Sequence, residues 1–302
     1  MKKSLIALAV LAASGAAFAQ SSVTLYGVAD LWVGKVNKGK FQAGDAGLAP
    51  SRLGFKGTED LGGGLKAGFQ FEQGLTLSDG ATDVPTFQRQ ANLSLSGGFG
   101  TIKLGRSTTA LDDVYGAANS GFDSALSVSE VWQNGHTGRA NAQLYYATPE
   151  FAGFTAAVST QLKGNAPVDQ LTTFNVAYAN GPIAAAVGYE DDAAGKKGTM
   201  FNGSYDLGMA KLMASYYTTK PNVGVRTNSY QLGADVPLSS ALTLSVGYAN
   251  SKVKGGVSDS GFGVAAGYSL SKRTTVYGGF RAASVKSGAD KDLIAVGINH
   301  TF

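Results

Sequence analysis

Between Ser107 and Arg139 the chain carries four acidic side chains, Asp112, Asp113, Asp123 and Glu130, and two guanidinium groups, Arg106 and Arg139, stand at its ends. Such charges can form salt bridges that pin the segment to its surroundings. They can also face opposite charges across a gap, where a field is poorly screened. Rings of charge in a narrow passage bias which ions pass, and both roles can hold at once. Catalysis fits less well. The only imidazoles are His136 and His300, so a His-based triad would have to use one of them. Cysteine is absent, which excludes a disulfide framework and a thiolate metal site. Pairs such as Asp112–Asp113 and Asp191–Asp192 do not have metal-ligand spacing, and no cofactor or metal is expected. Gly62, Gly63 and Gly64 lack the lysine-serine pattern of a phosphate loop and read as a hairpin turn.

These charges stand in an interruption. On either side the chain alternates apolar and polar residues. Tyr230, Leu232, Ala234 and Val236 alternate with Gln231, Gly233 and Asp235. Leu65, Ala67, Phe69 and Phe71 alternate with Lys66, Gly68, Gln70 and Glu72. A period of two puts each set on one face of a sheet. Sixteen such strands are expected, near residues 22–33, 51–58, 64–73, 86–96, 100–106, 140–148, 153–161, 172–180, 182–190, 199–207, 210–218, 228–236, 241–250, 260–270, 274–284 and 292–302. The 33 residues of 107–139 follow no such period. A long aperiodic loop in a compact chain is usually functional or disordered.

The first residues read as an export segment. Lys2 and Lys3 precede the apolar run Leu5 to Ala13, and Ala17-Phe18-Ala19 fits a cleavage site, so residues 1–19 are expected to be removed. Without Lys2 and Lys3, 23 basic side chains face 21 acidic ones, a balance with no Lys/Arg run that would suggest nucleic acid. No apolar run reaches the ~18 residues a membrane helix needs.

The connections alternate in length. GTEDLGGGL, SGGFG, TPEFAG, ANGP, DLGMA, PLSSA and SLSKR suit tight turns, while longer loops start near Gly34, Gly74, Ser107, Leu162, Asp191, Thr219, Ser251 and Val285. A soluble sandwich shows no such asymmetry. A membrane barrel has an even strand number, short periplasmic turns and long outer loops. The bilayer core cannot satisfy backbone groups, so an all-strand chain crosses it only as a closed barrel. Tyr178, Tyr189, Tyr216, Tyr248 and Tyr268 end apolar faces, where a ring can hold its hydroxyl at the headgroups. The expected fold is all-β: a 16-stranded antiparallel transmembrane barrel spanning residues 20–302, with the 107–139 loop folded inward. A barrel of this size is too wide for side chains to fill, so its lumen holds water.

Several stretches, taken in order, resemble the trimeric general porins of Gram-negative outer membranes, especially the β-proteobacterial type. They are SSVTLYGVAD, SRLGFKGTEDLGGGLKAGFQFE, QRQANLSLSGGFGTIKLGR, YYATPEFAG and DLIAVGINHTF, and together they span nearly the whole mature chain. The resemblance implies a homotrimer with one pore per chain and a third loop that forms the constriction. It implies Phe302 as the recognition mark for the barrel-assembly machinery, with periplasmic chaperones as further partners. His300 departs from the apolar or aromatic residue often found there, which bears on assembly efficiency.

The resemblance also implies basic wall residues facing acidic loop residues. Arg52 in SRLGFKG, Arg89 in QRQANL and Arg139 in GRANAQLYY match the wall arginines. Lys56 shares a face with Arg52, opposite Leu53 and Phe55. Arg89 shares parity with Ala91, Leu93 and Leu95, and Arg106 with Ile102 and Leu104, so each needs a bulge or a strand end to turn inward. Asp112, Asp113 and Asp123 are the expected loop acids, with Glu130 as a fourth. Wall cations slightly outnumber loop anions, which implies a weak anion preference.

The expected function is passive diffusion of small hydrophilic solutes and ions through the outer membrane, among its lipids. The alternative is a sugar- or anion-selective channel, for which Tyr115, Phe122 and Trp132 could supply a few aromatic faces. An enzyme on a smaller barrel lacks a placed nucleophile and base. An adhesive barrel would carry an extra domain or long functional loops.

Overall fold

A computed structural model of the chain describes residues 22–162, 164, 170–286 and 288–302. The predicted export segment, residues 1–19, lies outside the described residues. The chain forms one antiparallel sheet that closes on itself. In order the strands are β1 (Ser22–Val36), β2 (Gln42–Asp45), β3 (Arg52–Gly62), β4 (Leu65–Gly74), β5 (Gln90–Gly97) and β6 (Gly100–Thr108). Then come β7 (Arg139–Ala147), β8 (Phe154–Gln161), β9 (Thr172–Asn180), β10 (Ile183–Asp191), β11 (Lys197–Asp206) and β12 (Lys211–Lys220). The last five are β13 (Thr227–Pro237), β14 (Leu242–Val253), β15 (Ser258–Ser269), β16 (Thr274–Ser284) and β17 (Leu293–Thr301).

The barrel has sixteen strand positions, because β2 and β3 share one. β3 pairs with the lower part of β1, from Ser22↔Thr58 to Val28↔Arg52. The four-residue β2 pairs with the upper part, from Leu31↔Asp45 to Gly34↔Gln42. β2 was not expected from sequence, since four residues with two glycine or alanine positions carry no alternation. β17 pairs along the other edge of β1, from Val28↔Thr301 to Val36↔Leu293, and closes the hoop. Phe302 and Gly27 exchange backbone hydrogen bonds of 3.1 and 3.2 Å at this seam.

The polarity is inside out, as a membrane barrel requires. Leu232 is 57% exposed and Val296 is 65% exposed, whereas Gln231, Ser229 and Ser245 on the alternate faces are buried. Every predicted strand is present, with shifted ends. β3 runs to Gly62, so the predicted nine-residue turn shrinks to residues 63 and 64. β5 begins at Gln90, which leaves Arg89 in the preceding loop. The loop asymmetry is large at 37–51, 75–89 and 109–138 but slight at 254–257, where β14 and β15 run further out than the alternation indicated.

The apolar core is not wall against wall. Leu111, Val114, Val128, Val131 and Trp132 of the 109–138 loop pack on Met200, Tyr217, Ala249 and Ala283 of the strands. Leu126 joins Trp32, Ala265, Tyr277, Leu293 and Ala295 in a second cluster. The third loop therefore folds inward, as expected.

Candidate pore constriction

The loop is laid across the inner wall and tied to it strand by strand. Its neck is closed by Thr109, whose N–H donates to the Gly138 carbonyl at 3.0 Å and whose hydroxyl donates to the Thr137 carbonyl at 2.8 Å. A short helix, α1 (Asp112–Tyr115), follows, with the Thr109 hydroxyl accepting the Asp112 N–H at 3.2 Å. Two 3-10 turns lie at Gly121–Asp123 and Val128–Val131.

On the outward path the loop meets β8 to β14 in turn. Asn175 donates to the Ala110 carbonyl at 2.5 Å and Asn202 to the Val114 carbonyl at 2.5 Å. Ser215 and Gln231 donate to the Ala118 carbonyl at 3.2 and 3.1 Å, and Ser245 accepts the Gly121 N–H at 2.8 Å. At the tip, Arg281 donates to the Ala125 and Ser127 carbonyls, and Lys291 donates to the Glu130 carbonyl at 2.6 Å. On the return, Ser251 accepts the Gln133 N–H at 2.8 Å, Asn134 donates to the Tyr217 carbonyl at 3.2 Å, and Glu190 accepts the Thr137 N–H at 2.9 Å. The polar lumen face that the alternation produces thus satisfies the backbone of an irregular segment. The wall also makes room for it. A Cβ on Gly188 would stand 2.5 Å from the Leu111 Cδ1, so α1 lies where only hydrogen fits.

The loop acids divide. Asp112 lies 2.7 Å from the His136 Nε2, and the His136 ring stacks on Tyr115 at 3.7 Å. Asp123 accepts from Asn119 at 2.6 Å. Asp112, Asp123 and Glu130 line one lumen cavity of about 490 Å³ with Tyr115, Trp132 and His136. Asp113 points elsewhere and accepts from the Tyr145 hydroxyl at 2.7 Å, so it anchors the loop base. Desolvation pushes the Asp113 and Asp123 carboxyls above the usual carboxylate range.

A basic cluster stands on the wall. Glu72 lies at its centre, 2.6 Å from the Arg89 Nε and 3.6 Å from the Arg52 Nε, and accepts from the Tyr26 hydroxyl at 3.0 Å. Arg89 reaches inward because it precedes β5. Arg139 shares the electrostatic neighbourhood of Arg89, Glu72, Asp112 and Arg106. Its Nε is buried with no hydrogen-bond partner among the described residues. Lys56 lies over the Tyr26 ring at 5.1 Å, one step along the same face. Arg106 keeps the face of Leu104: it donates to the Gln88 carbonyl and to Asn141 at 2.6 Å and makes no contact with Glu72. The structure therefore brings together Arg52, Arg89 and Arg139, with Lys56 beside them and Arg106 at the margin.

Sequence reading missed Glu72, Arg281, Lys291 and Glu190. Glu72 stood on a polar strand face, but alternation alone does not say that it shares a height with Arg52. Register does, since Arg52 pairs with Gly74, two residues beyond Glu72.

Comparison with known proteins agrees with this geometry. The chain is 40% identical over 281 residues to outer membrane porin protein 32 of Delftia acidovorans, covering 82% of this chain and 80% of that protein. It is 31% identical over 269 residues to an outer membrane porin protein of Bordetella pertussis, covering 72% and 70% of the two chains. Among solved structures, an anion-selective porin from Comamonas acidovorans superposes with a TM-score of 0.83 at 29% identity, over 94% of this chain and all of that one. The trimer form of OmpT from Vibrio cholerae, at 17% identity and a TM-score of 0.72, shares the fold. The sequence profile described as Gram-negative porin matches residues 5–288. With the closed barrel, the tied inner loop and these matches in hand, the chain belongs to the Gram-negative porin family.

Proposed function

We propose that this outer-membrane channel, through which small hydrophilic solutes and ions diffuse passively, prefers anions weakly and works as a homotrimer. One observation supports the anion preference: Arg52 and Arg89 share a single carboxylate, Glu72, and Arg139 beside them has a buried Nε with no hydrogen-bond partner among the described residues. Lys56 and Lys291 add positive charge to the passage, while Asp112, Asp123 and Glu130 oppose it from the loop. Asp113 accepts a hydrogen bond from Tyr145, and Asp112 is hydrogen-bonded to His136. The surplus is small and positive, and in a narrow water-filled gap it attracts anions. The name of the Comamonas relative supports the same sign. Reversal potentials in a salt gradient test the reading. Replacing Arg52 and Arg89 together with serine is expected to lower the anion/cation permeability ratio, and an unchanged ratio would refute it.

The trimer rests on an asymmetry of the outer face. Tyr146, Tyr178, Tyr189, Tyr205, Tyr216, Tyr230, Tyr248 and Tyr268 point outward from β7 to β15. Among the described residues, β1, β3 to β6 and β17 present no outward tyrosine. They carry Leu25, Val33, Phe55, Phe71, Leu93, Leu104, Val296 and Ile298 instead. Aromatic girdles mark contact with headgroups, so the face without them suits a protein neighbour. Leu93→Arg is expected to give monomers by light scattering in detergent. The reading includes export by removal of residues 1–19, which an intact mass starting at Gln20 would support.

A further inference from the structure

Beside the loop tip the wall turns apolar on its water side. Trp32 and Val36 of β1 and Leu293 of β17 line a chamber of about 450 Å³, and Val36 pairs with Leu293 in register. The segment before β3 adds Leu48 to this floor, and the tip residues Asp123 to Ala125 form another side. The Ala125 N–H donates to the Gly47 carbonyl at 3.0 Å and so joins the tip to that segment. Val36 is 38% exposed and lies outside the apolar clusters that seat the loop. On the lumen side it serves neither lipid contact nor loop packing. The chamber shares Asp123, Ser129 and Glu130 with the lumen cavity, so the two adjoin.

Three charged groups around the chamber have hydrogen-bonding capacity left over. Arg281 spends its Nε on the Lys291 carbonyl at 2.9 Å and its Nη1 on the Ala125 and Ser127 carbonyls, while its Nη2 makes no hydrogen bond among the described residues. Asp123 accepts from Asn119 through Oδ1 at 2.6 Å, and its Oδ2 takes no hydrogen bond among the described residues. The Glu130 carboxylate makes neither a hydrogen bond nor an ion pair among them; only its backbone carbonyl is used, by Lys291. Asp45 also lines the chamber, but its carboxylate is occupied. It accepts from the Leu77 and Ser78 N–H groups at 2.5 and 3.2 Å and from the Ser78 hydroxyl.

We infer that this chamber is a binding site for apolar α-amino acids, taken up as zwitterions from the passage beside it. Arg281 receives the carboxylate, Asp123 and Glu130 receive the ammonium, and the side chain lies on Val36, Leu48 and Leu293. A concave, largely apolar site with a few converging polar groups is the usual form of a small-molecule site. Charge-assisted hydrogen bonds at both ends of the ligand fix its orientation. A simple anion meets two uncompensated carboxylates here and a simple amine meets a guanidinium, so the molecule that carries both charges is preferred to either. The inference rests on the chain being an open channel but not on the sign of its selectivity; reversal potentials read the second, and ligand-dependent current reads the chamber.

Single-channel recording of the full protein in a planar bilayer, with L-leucine added in steps, tests the assignment. Leucine is expected to reduce the ion current in a saturable way. Isocaproate lacks the ammonium, isoamylamine lacks the carboxylate and free glycine lacks the side chain; each is expected to act at least about tenfold more weakly. Val36→Trp, which fills the chamber, should abolish the saturable effect, and Glu130→Gln should raise the half-saturating leucine concentration a few-fold. An open-channel current without leucine shows that each variant has folded. A leucine effect matched by isocaproate or isoamylamine overturns the zwitterion assignment, and one matched by glycine overturns the apolar floor. No saturation with leucine, or an unchanged half-saturating concentration in Val36→Trp or Glu130→Gln, overturns the site.

Discussion

Glu72 stands between Arg89 and Arg52, at 2.6 and 3.6 Å from their Nε atoms, and is the one carboxylate in direct contact with these arginines among the described residues. Its carboxylate offsets part of their charge. Glu72→Gln keeps the shape and an acceptor for the Tyr26 hydroxyl while removing the charge. The change in ion energy is on the order of 1 kcal/mol in a watery gap, so the anion/cation permeability ratio should rise a few-fold. Reversal potentials in a salt gradient measure it; a fall in the ratio would show that Glu72 organises the arginines rather than opposing them.

Acidification should raise the anion preference early. The Asp123 carboxyl is pushed up by desolvation, so it gains a proton at a pH above the ordinary aspartate value of about 3.9. As pH falls from neutral, the loop loses this negative charge before exposed carboxylates titrate, and cations lose an attractive site. Asp123→Asn should abolish that early step.

Asp30 holds the barrel seam. Its buried carboxylate accepts from the Gly47, Leu48 and Ala49 N–H groups at 2.7, 2.9 and 3.1 Å, the Tyr277 hydroxyl at 2.6 Å and the Asn299 amide at 2.7 Å. One side chain so joins β1, β16, β17 and the segment before β3. Asp30→Ala strands these donors and should cost roughly 3 kcal/mol or more. Thermal unfolding followed by circular dichroism should show a lower Tm, with Asp30→Asn in between.

The fit of α1 against β10 should govern pore width. Gly188→Val places new atoms against Leu111 and Val114, whose nearest atoms lie 2.5 and 3.1 Å from a Cβ at that position. Overpacking of this kind costs about 1–3 kcal/mol, and the loop can yield only toward the lumen. Single-channel conductance should fall; an unchanged value would mean that the wall bulges outward instead.

The barrel was legible because lipid on one side and water on the other force a period of two, and that period is written residue by residue. The inward loop was legible as the place where the period stops. The division of its acids was not: Asp112 and Asp113 are neighbours in sequence, yet one turn of α1 sends one to His136 and the other to Tyr145. Arg106 and Arg89 posed the same parity problem and were resolved differently. Arg89 lies outside its strand and reaches Glu72, while Arg106 stays inside β6, at a register shift between Gly105 and Ser107, and binds Gln88 and Asn141 instead. Strand ends and helix turns are three-dimensional decisions that a linear pattern underdetermines. Arg281 and Lys291 lay hidden for another reason: they bind carbonyls, which leave no signature in side-chain types.

Because β1 meets β17 across the whole chain, Val28 beside Thr301, the hoop cannot shut until the last strand has arrived. Until then an incomplete chain has two raw sheet edges and no inside, and the polar lumen residues that tie down the third loop have nowhere to gather. Closure is therefore all-or-none. A chain broken off before β17 leaves an open sheet with two unpaired edges rather than a closed channel.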